Sequence, residues 1–142
     1  MREIKFRAWD KVRKTMYDVD TIEMDVLKDG SSDNQISGWD DTEWQCGIPL
    51  KDVELLQYTG EKDINGQEIY EGDIIRLEGV DDREIGSTWE HIGKIVYKRG
   101  AFFVCYFDYY ADGDEELICD AQVEFGTVIG NIYENPELME EE

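Results

Sequence analysis

The stretch Leu56-Gln57-Tyr58-Thr59-Gly60-Glu61-Lys62-Asp63-Ile64-Asn65-Gly66-Gln67-Glu68-Ile69-Tyr70-Glu71-Gly72-Asp73-Ile74-Ile75 decides the fold class. The apolar run from Val53 to Tyr58 reads as a strand. Thr59-Gly60 and Asn65-Gly66 then bracket Glu61 to Ile64. Asn-Gly accepts positive φ at both central positions, which a type I′ hairpin turn requires. Gln67 to Tyr70 is the returning arm. Glu71-Gly72-Asp73 is a second turn, and Ile74 to Glu78 is a strand rich in β-branched residues.

Downstream the same pattern continues. A polar, acidic loop fills residues 79–90. Ile92 to Lys98 and Ala101 to Tyr109 read as two strands joined tightly at Arg99-Gly100. Phe102 to Phe107 is apolar on both faces, which places it inside a sheet or under cover on both sides. Asp112-Gly113-Asp114 turns the chain, and Gly126 to Ile132 makes a last strand. Asn135-Pro136-Glu137 sets a capping residue before a proline, as a short helix start would. Five short strands with tight turns from Glu71 onward suit a small SH3-type β-barrel.

Upstream, Ile4, Phe6 and Ala8 alternate with Lys5 and Arg7, a half-buried strand. Asp10 to Lys14 suits a turn, and Met16 to Ile22 alternates again as the return strand. Lys28 to Asn34 is turn chemistry. Residues 28–47 read as a long surface excursion carrying Trp39 and Trp44 among Asp40, Asp41 and Glu43. These indoles either tuck back into the core, the favoured arrangement for so large an apolar group, or face a partner. The expected architecture is therefore mainly β, with few short helical turns. Residues 1–60 form an N-terminal β-hairpin region with an acidic Trp-containing excursion. Residues 61–142 form an SH3-like barrel with an acidic C-terminal tail.

Charge narrows the function. The chain holds 35 acidic and 14 basic residues, a formal net charge of −21. DNA and RNA affinity comes largely from Lys and Arg, so direct nucleic-acid binding is disfavoured. An anionic membrane surface is disfavoured for the same reason. Basic residues gather in residues 1–14, whereas residues 100–142 contain none. That asymmetry allows head-to-tail self-association, or an acidic surface aimed at a basic partner. No signal peptide and no membrane-length apolar run is visible, so a cytosolic protein is expected.

Catalytic chemistry finds no constellation. Asp63-Ile64-Asn65-Gly66 invites a calcium-loop reading, but Gly66 falls at position 4 where the loop needs glycine at position 6. Asp112, Asp114, Glu115 and Glu116 could gather a weak cation, but a solvated acidic loop is much the favoured reading. His91 is the single histidine and reads as a strand-entry residue. Cys46, Cys105 and Cys119 show no ligand spacing, and an odd thiol count in a reducing compartment points to buried free cysteines, with Cys46, read as a loop residue, the more accessible. No metal, cofactor or catalytic residue is expected.

Three segments together resemble the YopX family of phage and prophage proteins. The opening is Arg2-Glu3-Ile4-Lys5-Phe6-Arg7-Ala8-Trp9-Asp10 with Met16-Tyr17. The centre is Leu56 to Gly60 followed by Asp63, Asn65-Gly66 and Glu68 to Asp73. The close is Val128-Ile129-Gly130-Asn131-Ile132-Tyr133-Glu134-Asn135-Pro136-Glu137-Leu138. The resemblance implies a mainly β protein with an SH3-type barrel, in a bacterial host's cytoplasm, and brings no established activity with it. The matching residues read as fold determinants.

The expected function is a non-enzymatic accessory protein that binds a host or phage protein. Trp39 and Trp44 are the candidate anchors, and Asp112, Asp114, Glu115 and Glu116 the candidate acidic contacts. Alternatives are an acidic decoy of a nucleic-acid-binding protein, a homo-oligomeric structural protein, and more remotely a carboxylate-metal hydrolase.

Overall fold

The computed structural model describes residues 3–24, 34–80, 83–107 and 115–139. The turns expected at Lys28 to Asp33 and at Asp112-Gly113-Asp114 lie outside them. The chain divides into two compact units, Met1–Tyr58 and Thr59–Glu142. It is mainly β, with antiparallel pairing throughout the described sheets.

In the first unit, β1 (Phe6–Asp10) and β2 (Thr15–Glu23) form the expected hairpin. Residues expected as a surface excursion instead form two more strands, β3 (Gln35–Trp39) and β4 (Trp44–Pro49). With β5 (Val53–Lys62), the order is β4-β3-β2-β1-β5. Acidic and turn-forming residues mask this hairpin in the sequence. What fixes it is the pleat: Ile36 and Ile48 pair directly and bury themselves with Ala8, Tyr17 and Val53.

Asp10 closes the β1–β2 hairpin from inside. Its carboxylate is fully buried. Oδ1 accepts the Val12 and Arg13 backbone N–H groups at 3.0 Å each. Oδ2 accepts from the Arg13 guanidinium at 2.9 Å and the Tyr17 hydroxyl at 3.1 Å. Burial pushes this carboxyl up, but the Arg13, Val12 and Tyr17 hydrogen bonds together outweigh it and hold it below the ordinary Asp range.

The second unit begins with the end of β5, which pairs with β6 (Glu68–Tyr70). The turn between them is not the expected type I′. Only Gly66 is left-handed, at φ 82°. The Asp63 Oδ1 atom accepts the Asn65 and Gln67 N–H groups at 2.9 Å each, so Asn65 is held in an Asx turn with negative φ. The result is a type I turn followed by a glycine bulge. The other oxygen, Oδ2, accepts the Val128 N–H at 2.9 Å, 65 residues away.

The main sheet of this unit contains β7 (Asp73–Val80), β8 (Thr88–Lys98), β9 (Ala101–Tyr106), β10 (Glu115–Leu117) and β11 (Thr127–Asn131), in the order β10-β9-β8-β7-β11. A four-residue helix, α1 (Ile118–Ala121), and a 3₁₀ turn at Val123–Phe125 connect β10 to β11. Ile75, Ile95 and Val104 from the sheet meet Ile69 and Val123 in one core. Arg99 and Gly100 both take positive φ, 52° and 80°, giving the tight β8–β9 turn.

The expected closed barrel is corrected: among the described residues the sheet is open, with β10 and β11 as its edges. β10 is only three residues long. On β11, Asp63 takes the Val128 amide and Asn135 Oδ1 takes the Asn131 amide at 3.2 Å, so side chains occupy donors that a closing strand would need. Asn135 also precedes the 3₁₀ turn Pro136–Met139, where the sequence places a helix start.

Candidate interaction surface

The β3–β4 hairpin presents its two tryptophans to solvent. Trp39 and Trp44 face each other in register, with ring centroids 5.6 Å apart and planes at 68°. They are 54% and 41% exposed, so the favoured expectation that they tuck into the core is corrected. The reason is strand parity together with a bulge. Ile36 takes the core side, so Trp39, three residues on, stands on the opposite face; on β4 an extra residue between Ile48 and Gln45, where Gly47 has φ 69°, shifts the register and brings Trp44 round to the face of Trp39. An edge-to-face pair like this one is worth about 0.5–1.5 kcal/mol beyond the area it covers.

The loop joining the strands is organised by Asp40. Its Oδ1 accepts the Thr42 and Glu43 N–H groups at 2.8 Å each and the Thr42 hydroxyl at 3.0 Å. The Asp40 N–H returns to the Glu43 carbonyl at 3.1 Å. Gln45 Nε2 donates to Glu43 Oε1 at 3.0 Å. The amides of Glu43 and then Thr42 hold the Asp40 carboxyl below its ordinary range, so it is charged at neutral pH. The indole pair thus sits on a pre-shaped, anionic tip.

The other candidate contacts lie in the second unit. Glu115 is engaged by Lys98 and Arg99. The Lys98 hydrogen bond holds its carboxyl below the ordinary Glu range, against a smaller upward push from burial. The same two cations lie over the Phe103 ring, at 5.9 and 5.5 Å. Glu116 Oε1 accepts the Tyr106 hydroxyl at 2.8 Å. Asp112 and Asp114 lie outside the described residues. Cations of the N-terminal segment also have local carboxylate neighbours: Lys5–Glu3, Arg7–Asp18, Lys11–Glu54 and Arg13–Asp10.

One aromatic group was not legible as such in the sequence. His91 lies inside β8 rather than at its entry, stacked on Trp89 at 5.3 Å and edge-on to Tyr106 at 5.7 Å. The i, i+2 spacing of Trp89 and His91 is the signal that could have revealed it. Trp89 lies across from Gly79, where an added Cβ would fall 2.5 Å from the indole. Cys119 is exposed, against the expectation of buried thiols, Cys105 is half-buried, and Cys46 is exposed, as expected of the more accessible thiol, although it lies in β4 rather than in a loop. Among the described residues, no group of three His, Cys, Asp or Glu side chains could hold a metal ion. No helix among them is long and apolar enough to cross a membrane.

Two antiparallel sheets and a surface aromatic pair define a small, mainly β protein that presents an anionic tryptophan hairpin. The YopX protein family model matches residues 5–140, and the chain belongs to that family. It is similar to the crystal structure of protein EF1440 from Enterococcus faecalis, at 27% identity and a TM-score of 0.58, covering 99% of this chain and 100% of that one. It is also similar to the crystal structure of protein yopX from Bacillus subtilis, at 18% identity and a TM-score of 0.59, covering 100% and 99%. No curated protein matches it.

Proposed function

We propose that this chain is a non-enzymatic, phage- or prophage-encoded accessory protein that binds a protein partner in the bacterial host cytoplasm. The observation that carries the reading is the Trp39–Trp44 pair, exposed on a hairpin whose loop is already ordered by Asp40. Tryptophan is enriched among residues that dominate binding energy, and a pre-ordered tip reduces the entropy lost on docking. The second unit supports the scaffold part of the proposal. Its short strands, tight turns and last strand returned to β7 suit an SH3-type arrangement left open at one seam.

The test is affinity capture from host lysate with the intact chain, Trp39→Ala/Trp44→Ala, and Trp39→Tyr/Trp44→Tyr. Circular dichroism establishes that each variant is folded. The expected result is a partner retained by the parent, weakened with the tyrosines and lost with the alanines. Identical captured proteins from all three folded chains would refute the assignment of the surface.

A further inference from the structure

The tryptophan pair ends a row that crosses four strands. Arg7, Asp18, Trp39 and Trp44 occupy successive facing positions on β1, β2, β3 and β4. Residues in such a row share a face of the sheet. Arg7 Nε lies 3.7 Å from Asp18 Oδ1, with the aspartate side chain 78% exposed. The row therefore begins with a cation already matched to a carboxylate, and ends with two indoles beside an acidic loop. Between Thr15 and Leu50 the sequence has nine acidic residues and one basic residue, Lys28.

This setting discriminates among occupants. The exposed face of an indole attracts a cation, and nearby carboxylates strengthen the attraction. An apolar partner would strip water from Asp18 and Asp41 without replacing it. A phosphate-bearing partner would be repelled. A second copy of this chain is a poor source of the cation, because each copy carries a formal net charge of −21 and two such chains repel.

We propose that the surface takes an arginine- or lysine-bearing segment of a protein partner. The cationic side chain lies over Trp39 and Trp44, with Asp18 of the same row and Asp41 of the loop as counter-charges. This rests on the reading of the hairpin as a protein-binding surface.

The test uses the full chain and three blocked pentapeptides alternating glycine with arginine, citrulline or glutamate. Indole N–H resonances are followed by NMR and assigned with Trp39→Phe and Trp44→Phe. The expected result is saturable shifts of both indoles with the arginine peptide at low salt, and binding about tenfold weaker with citrulline, the size of two to three exposed cation–π contacts. Asp18→Asn/Asp41→Asn should weaken the arginine peptide and leave citrulline binding unchanged. Equal binding of arginine and citrulline would overturn the cationic assignment. So would indoles that no peptide moves. If the alanine variants nevertheless lose the captured partner, the binding surface stands and only its chemistry is wrong. If capture is also unaffected, both readings fall.

Discussion

Replacing Asp63 separates two jobs that one carboxylate performs. Oδ1 holds the β5–β6 turn through the Asn65 and Gln67 amides, and Oδ2 ties that turn to the Val128 amide of β11. Hydrogen bonds to a charged acceptor are worth about 1.5–3 kcal/mol each, but three full bonds would overstate the loss. Asn65 and Gln67 are exposed, so water replaces much of what they lose, whereas Val128 is half-buried. Asp63→Ala should therefore cost about 2–4 kcal/mol. Asp63→Asn retains one acceptor oxygen, and its amide N–H₂ must face either the turn amides or Val128. It should cost about 1–2 kcal/mol.

The assay is urea denaturation followed by far-UV circular dichroism, with hydrogen exchange on the same samples. In Asp63→Ala the Val128 amide should lose protection selectively. If both variants stay within about 0.5 kcal/mol of the parent, or Val128 remains protected in Asp63→Ala, the carboxylate is not what ties the turn to the strand.

Asp10→Asn should destabilise the chain at neutral pH by about 1–3 kcal/mol, since buried partners lose a charged acceptor. The folded Asp10 carboxyl lies below its ordinary value, so its contribution is present above the unfolded value near pH 4 and lost as pH falls through the folded one. The stability gap between parent and variant should close below about pH 4, and parallel acid-unfolding profiles would contradict this. Gly66→Ala meets nothing within 4 Å, so its expected cost of about 1–2 kcal/mol is left-handed backbone strain alone; an unchanged denaturation midpoint would count against the turn assignment. Gly79→Ala should lift Trp89 off its strand neighbour and shift the Trp89 indole resonance, although alanine is ordinarily no worse than glycine in a strand. A stationary Trp89 resonance would show that the indole does not rest there.

The strands of the first hairpin were legible because Ile4, Phe6 and Ala8 alternate with charge, and a two-residue period has one structural meaning. Arg99-Gly100 was legible as a tight connection for a similar local reason. The three matching segments carried the family, and several of their polar residues prove to be the groups that close turns: Asp10, Asp63, Asp73 and Asn131. Asp73 Oδ2, for example, accepts the Tyr70 N–H at 2.8 Å. The tryptophans could be named from sequence as candidate anchors, but their exposure could not be read there.

What the sequence determined by itself was whatever depends on neighbours along the chain: strand alternation, turn positions, the acidic balance and membership of the family. Tertiary structure alone decided the β3–β4 hairpin, the side on which Trp39 and Trp44 stand, the tie from Asp63 to β11 and the open edges at β10 and β11. Each depends on a partner far away in sequence. Ile36 needs Ile48 before its face is defined, and Asp63 needs Val128 before its second oxygen has a role. On the β11 edge, Asn135 caps the Asn131 amide from four residues away, but the Val128 amide is taken by Asp63 from 65 residues away, a contact that no local pattern encodes.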